Sequence, residues 1–73
     1  MANKVIDVDT RMYWQVMQNI NAGKAIGQID PDDIDELEVL AAYTANPVVA
    51  RMANKAILAN RAWVLANSQA CGG

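Results

Sequence analysis

The chain has 73 residues, a net charge of −2, one cysteine and no histidine. Such a length allows one domain at most, with a modest core. Without histidine it lacks the commonest general base and the commonest metal ligand, and the lone Cys71 has no base to activate it. We therefore predict a non-enzymatic protein that uses no cofactor, metal or small molecule. A single thiol fits a reducing compartment, so we expect a cytoplasmic location.

The charge balance argues against nucleic acid and membrane partners. Six basic residues against eight acidic ones leave no basic excess, and non-specific nucleic-acid binding depends on neutralising phosphates. The longest helical pattern carries Arg51, Lys55 and Arg61, so we expect no membrane span. No basic start with an apolar run and a cleavage site is present, so no signal peptide is predicted.

In chain order, the first predicted element is an extended N-terminal arm, residues 1–8. Helix 1 is predicted over residues 10–22. Asp9 or Thr10 can cap it, because a short oxygen side chain accepts from the free amides of a first turn. Gly23 is expected to end it in the left-handed conformation.

Proline marks the starts of the next two helices. Helix 2 is predicted over residues 31–45, because proline at a first helical position loses no hydrogen bond. Asn46 stands before a proline and therefore ends helix 2 and caps helix 3, which is predicted over residues 47–67. Residues 68–73 are predicted to form a disordered C-terminal tail. These elements indicate an all-α fold, a three-helix bundle in a single domain spanning residues 1–73.

Helical spacing assigns each helix an inward face. The expected inward residues are Met12, Tyr13, Val16, Met17 and Ile20 in helix 1, Ile34, Leu37, Leu40, Ala41 and Thr44 in helix 2, and Val49, Met52, Ala53, Ala56, Asn60, Trp63 and Val64 in helix 3. The loop over residues 24–29 is apolar for a loop, so we expect it to fold back onto the core.

Bulky apolar residues off these faces are the candidates for a binding role. Leu58 and Leu65 lie opposite the inward face of helix 3, seven residues apart, with Arg51 and Arg61 beside them. Apolar anchors with a polar rim are typical of protein interfaces. The alternative is that helix 3 is central and covered on that side by the arm or the loop.

Helices 1 and 2 and the arm carry further candidates. Trp14 lies outside the main stripe of helix 1 near Arg11, and tryptophan and arginine are enriched at binding hot spots; alternatively Trp14 covers the edge of the core. Val39 and Tyr43 lie on the acidic side of helix 2 and, if uncovered, favour a basic partner. An apolar arm can fold on binding or simply fray. The predicted partner contacts are Val5, Ile6, Arg11, Trp14, Arg51, Leu58, Arg61 and Leu65.

The acidic run over residues 30–38 has several interpretations. It fits a calcium loop poorly, because Ile34 stands at a ligand position and Ala41 where the closing glutamate belongs. A DNA-mimicking face is a second interpretation, although the net charge is small for a mimic. The simplest is that the carboxylates complement the helix dipole and face solvent. Helix 2 is acidic and helix 3 basic, so the two can also face each other.

The whole chain resembles the small phage-encoded transcription regulators that bind RNA polymerase, of the kind found in a Xanthomonas phage. The resemblance lies in the short length, the missing catalytic groups, the single cysteine and the helices that are apolar on two sides. It implies binding to the host RNA polymerase, inhibition of sigma-dependent initiation and antitermination. It assigns no role to individual residues.

Two other functions remain open from the sequence. A helix-turn-helix DNA binder is suggested by the short connection between helices 2 and 3 and by the basic residues of helix 3. A homo-oligomeric structural or anti-defence protein would pair the same apolar face across a two-fold axis.

Overall fold

The structure is a computed structural model that describes residues 7–72, with side chains described for residues 7–67. It contains α1 (Val8–Ala25), α2 (Pro31–Tyr43) and α3 (Pro47–Gly72), and each helix packs against the other two. The described residues form no strand. The predicted all-α three-helix bundle is confirmed. The arm contacts predicted at Val5 and Ile6 lie outside the described residues.

The bounds of α1 differ from the prediction at both ends. The helix begins at Val8, with Asp7 at the N-cap position, so neither Asp9 nor Thr10 is the cap. Asp9 instead accepts a hydrogen bond from the Thr44 hydroxyl at the end of α2. A sequence with several possible caps leaves the choice to such long-range contacts. The helix also continues past Gly23, which lies inside its last turn.

The loop between α1 and α2 explains why Gly23 and Gly27 are glycines. A Cβ added to Gly23 would lie 2.5 Å from the carbonyl oxygen of Gln28, so the loop backbone passes where a side chain would be. Gly27 turns the chain with φ of 87°, a conformation that L side chains rarely adopt. The turn brings Ile29 into the core but leaves Ile26 81% exposed. The loop therefore folds back only in part. The prediction that it packs on the core is confirmed for Ile29 and wrong for Ile26.

The starts of α2 and α3 lie at the predicted prolines because the signals there are local. The Asp30 carboxylate accepts from the Asp32 amide at 3.0 Å at the start of α2. The Asn46 side-chain oxygen accepts from the Val48 amide at 2.9 Å at the start of α3. Both are ordinary N-caps, and each satisfies an amide that has no partner inside its helix.

The ends of these helices differ from the prediction. α2 ends at Tyr43 rather than at residue 45, and α3 continues to Gly72 rather than ending at Asn67. The backbone of α3 therefore occupies most of the range predicted as a tail. With 26 residues against 13, α3 is about 39 Å long and α2 about 20 Å. The longer helix extends past the shorter one, so α2 covers only part of it.

The core lies between all three helices and follows the predicted faces with few exceptions. Its buried apolar side chains are Val16, Ile20, Ile29, Ile34, Leu37, Leu40, Val49, Ala53, Ala56 and Ile57, with Tyr13, Met17, Ala41 and Trp63 packed against its edge. Met12 and Val64 are exposed, which corrects their assignment to the inward faces. Ile57 was missed because it lies at the edge of the stripe, where α2 packs on it.

Candidate protein-binding surface

The outer side of α3 carries an apolar ridge that no other described element covers. Leu58 is 71% exposed, and Leu65, about two turns further along the helix, is 60% exposed. Ala62 and Arg51 are exposed on the same side. We call these four residues, Arg51, Leu58, Ala62 and Leu65, the α3 ridge. The covering of this side by the loop between α1 and α2, which the sequence left open, is not observed.

A groove runs along the ridge where α3 packs against α2. Its first part, about 470 Å³, lies between the start of α2 and Leu65, with Ile34 and Val64 in its lining. Its second part, about 410 Å³, lies beside Leu58. Glu38 and Arg61 line both parts, which makes the two parts one α2/α3 groove. The predicted contacts Leu58, Arg61 and Leu65 are thus brought together.

An ion pair divides the α2/α3 groove. The guanidinium of Arg61 contacts the carboxylate of Glu38, and both side chains remain substantially exposed. This is the contact expected if the acidic helix faces the basic one. A solvent-exposed pair contributes only about 0–1 kcal/mol. Its side chains can therefore exchange their mutual contact for contacts with a partner at little cost.

The other predicted contacts lie elsewhere on the bundle. Trp14 is 57% exposed and packs edge-to-face on Tyr13, with ring centroids 5.4 Å apart. Tyr13 packs against the core, whereas more than half of Trp14 faces solvent, so its role in binding stays a prediction. Arg11 is exposed and lines a separate groove between α1 and α2, beside Glu36. No residue of α1 lines the α2/α3 groove, so the predicted contacts form at least two separate surfaces.

The outer side of α2 is acidic and partly apolar. Val39 is 56% exposed and Tyr43 is 82% exposed, and they share that side with carboxylates. Burial raises the pKa of the Asp33 carboxyl above its ordinary value, and the charges of Asp30 and Asp32 raise it further. The N-cap and first turn of α2 thus bring three carboxylates close together, which favours basic groups nearby.

A third groove, between α1 and α3, was not foreseen from the sequence. Met17 and Met52 line it, with Lys24 and Lys55 at its margin. Asn60 also lines it and is only 1% exposed. Its Nδ2 donates to the Ala56 carbonyl at 2.8 Å, while its Oδ1 has no hydrogen-bond partner among the described atoms. An asparagine within an otherwise apolar stripe was the signal that could have indicated this groove.

Within residues 7–67, no three or more acidic or cysteine side chains are placed to hold a metal ion together. No helix in the described part of the chain is long and apolar enough to cross a membrane. Comparison of the sequence and the structure with protein-family models, curated proteins and solved structures finds no match. The described surface offers apolar and charged contact area along the α3 ridge and the α2/α3 groove and, separately, on α1, α2 and the loop between them.

Proposed function

We propose that this chain is a non-enzymatic regulator that docks on a larger protein complex through the α3 ridge and the α2/α3 groove. The observation that carries the proposal is the exposure of Leu58 and Leu65 on one side of α3. Burying each leucine against a partner contributes about 1.5–3 kcal/mol. Arg51 and Arg61 supply the polar rim that surrounds such anchors at interfaces.

The partner that we propose is a bacterial RNA polymerase. Support for this choice comes from the resemblance of the whole chain to small phage regulators of that enzyme. Docking on one surface or conformation of the polymerase would compete with its normal partners and so inhibit sigma-dependent initiation. A regulator that stays bound during elongation would also promote antitermination. Neither effect requires chemistry from this chain.

The arrangement of α2 and α3 favours a protein partner over DNA. The start of α2 lies beside Leu65 and its end lies beside Asn54, so the two helices run antiparallel. Helices of a helix-turn-helix motif cross at about 90–120° instead. The carboxylates of α2 also lie along the groove beside α3, where they would repel phosphates. A gel shift at low salt distinguishes the two functions, because we expect no shift for a protein that binds polymerase alone.

The proposal is tested by capture of purified Xanthomonas RNA polymerase on the immobilised protein, with and without sigma factor. We expect the double variant Leu58→Asp/Leu65→Asp to lose capture and to lose inhibition in a sigma-dependent transcription assay. Circular dichroism should show an unchanged helical signal, since both side chains are exposed.

Ile26→Asp is the matched control. Ile26 is more exposed than either leucine but lies in the loop and lines neither part of the α2/α3 groove. We expect this variant to capture polymerase like the wild type. Equal capture by the ridge variant and the control would remove the ridge as the docking surface. No capture by the wild-type protein would reject RNA polymerase as the partner.

A further inference from the structure

The exposed side of α3 has the spacing of a helix that pairs with another helix. Steps of alternately three and four residues connect six exposed positions, which are Val48, Arg51, Lys55, Leu58, Ala62 and Leu65. This 3–4 spacing forms the contact seam of coiled coils. Four of the six side chains are apolar, although every one faces solvent in the single chain.

We propose that a second copy of this chain covers the seam, with the two α3 helices antiparallel. Opposite directions place the first position of one seam against the last position of the other. Val48 then meets Leu65 of the other copy at both ends, and Leu58 lies near the two-fold axis. Arg51 lies opposite Ala62, whose small side chain leaves room for the arginine stem. Lys55 lies opposite Leu58, where its aliphatic stem can pack on the leucine while its ammonium group stays in solvent.

The charges around the seam support this occupant. α3 carries only basic charges, whereas α2 and its N-cap carry only acidic ones. Asp35 borders the α2/α3 groove at the level of Leu65 and Arg61. In the antiparallel pair, Arg51 of one copy lies level with Leu65 and Arg61 of the other copy. It is there within reach of the other copy's Asp35. Two such contacts form across the two-fold axis. A parallel pair would instead place Arg51 beside Arg51 and far from Asp35 of the other copy.

Pairing regulates the function proposed above and in that respect rests on it. The dimer seam includes Leu58 and Leu65, which are also the proposed anchors for the polymerase. One ridge cannot hold both occupants. Free protein therefore hides its docking surface in the dimer, and the monomer is the form that binds polymerase.

Oxidative cross-linking tests the geometry directly. In a Cys71→Ser background, Val48→Cys alone and Leu65→Cys alone should stay uncross-linked. The two equivalent cysteines of such a dimer are separated by about 25 Å along the helix axis. A mixture of the two variants should cross-link between chains, because those positions lie opposite each other. Cross-linking of either variant with itself, or none in the mixture, would overturn the antiparallel pair.

A charge exchange tests the second contact by sedimentation equilibrium at several concentrations. We expect Arg51→Glu alone and Asp35→Arg alone to raise the dissociation constant of the dimer, and the double variant to lower it again because the ion pair is re-formed with reversed signs. A dissociation constant that stays raised in the double variant, or a wild-type protein that stays monomeric at all concentrations, contradicts the proposal.

The oxidised mixture separates this proposal from the proposed function. The cross-linked dimer should fail to bind RNA polymerase, and reduction of the same sample should restore binding by its Val48→Cys chains, which keep both Leu58 and Leu65. A dimer that binds polymerase while cross-linked would overturn the exclusion between the two occupants. Cross-linking in the mixture, together with a wild-type protein and reduced Val48→Cys chains that both fail to bind, would leave the pairing established and reject the polymerase. Polymerase binding without any dimer would leave the proposed function standing and reject the pairing.

Discussion

Asn60 is the polar side chain most deeply buried among the described residues, and one of its two polar atoms is unpaired. A buried acceptor without a partner costs about 1–3 kcal/mol of desolvation. Leucine has the same number of side-chain heavy atoms, and the neighbouring α1/α3 groove has space for its methyl groups. We therefore expect Asn60→Leu to raise the free energy of unfolding by about 1 kcal/mol, measured by urea denaturation.

Asn54 provides the matched control for this substitution. Its Nδ2 donates to the Ala50 carbonyl at 2.9 Å, the same local bond that Asn60 makes, but its side chain is exposed. We expect Asn54→Leu to change the free energy of unfolding by less than about 0.5 kcal/mol. A loss of stability in Asn60→Leu would show that the buried amide is satisfied and contributes to the core.

At the level of single residues, the sequence predicts burial well where a residue lies at the middle of a helical face and poorly at its edges. Ile20 and Leu37 are central and fully buried. Ile57 and Val64 lie near the edge, and only the neighbouring helix decides which of the two is covered. The exposure of Leu58 could be proposed but not established from the sequence, since an uncovered side depends on every other element.

Among the elements, α3 depends on the Asn46 cap. Its Oδ1 accepts from the Val48 and Val49 amides, and its Nδ2 donates to the Asp7 carboxylate at 3.1 Å. Asn46→Ala removes both kinds of contact, and we expect it to lower the free energy of unfolding by about 1–2 kcal/mol in urea denaturation.

Asn46→Asp and Asp7→Ala separate the two contacts. Asn46→Asp keeps an acceptor for the first-turn amides but brings a second carboxylate towards Asp7, so we expect it to be less harmful than Asn46→Ala. Asp7 makes no side-chain cap bond, so Asp7→Ala removes the exposed contact with Asn46 and the negative charge at the start of α1, and should cost less than about 1 kcal/mol. If Asp7→Ala costs as much as Asn46→Ala, the contact with α1 and not the cap accounts for the role of Asn46.

The ends of elements show where sequence reasoning works. Pro31 and Pro47 mark true helix starts, because the lost amide and the fixed φ of proline act within a few residues. At the start of α1 the sequence has two neighbouring candidate caps, Asp9 and Thr10. Asp9 instead accepts a hydrogen bond from Thr44 at the end of α2. Gly23 was misread as a terminator because the feature that requires a glycine there is the loop backbone folding over it.

Across the whole molecule, the three helices are held unequally. α1 places only Val16 and Ile20 in the core as buried side chains, whereas α2 and α3 supply most of the rest and share the more extensive contact. The number of helices and the apolar face of each helix could be predicted from the sequence. The unequal lengths of α2 and α3 could not, nor could the placement of α2 beside α3 from the level of Asn54 to that of Leu65, which leaves the α3 ridge on a side that no other described element covers.

This inequality predicts that α1 opens before the α2/α3 pair does. In native-state hydrogen exchange, we expect the amides of residues 16–20 to exchange faster than those of residues 57–60, because fewer buried apolar contacts hold them. Thr44→Val removes the hydroxyl that donates to Asp9 and also accepts from the Asn46 amide at the start of α3. It should speed exchange at residues 16–20 more than at residues 57–60, which lie about three turns from Asn46. Thr10→Val, a substitution of the same type within α1 that leaves this bond intact, serves as the control. Equal acceleration of both segments by Thr44→Val would show that the bundle opens as one cooperative unit, with α1 no weaker than its neighbours.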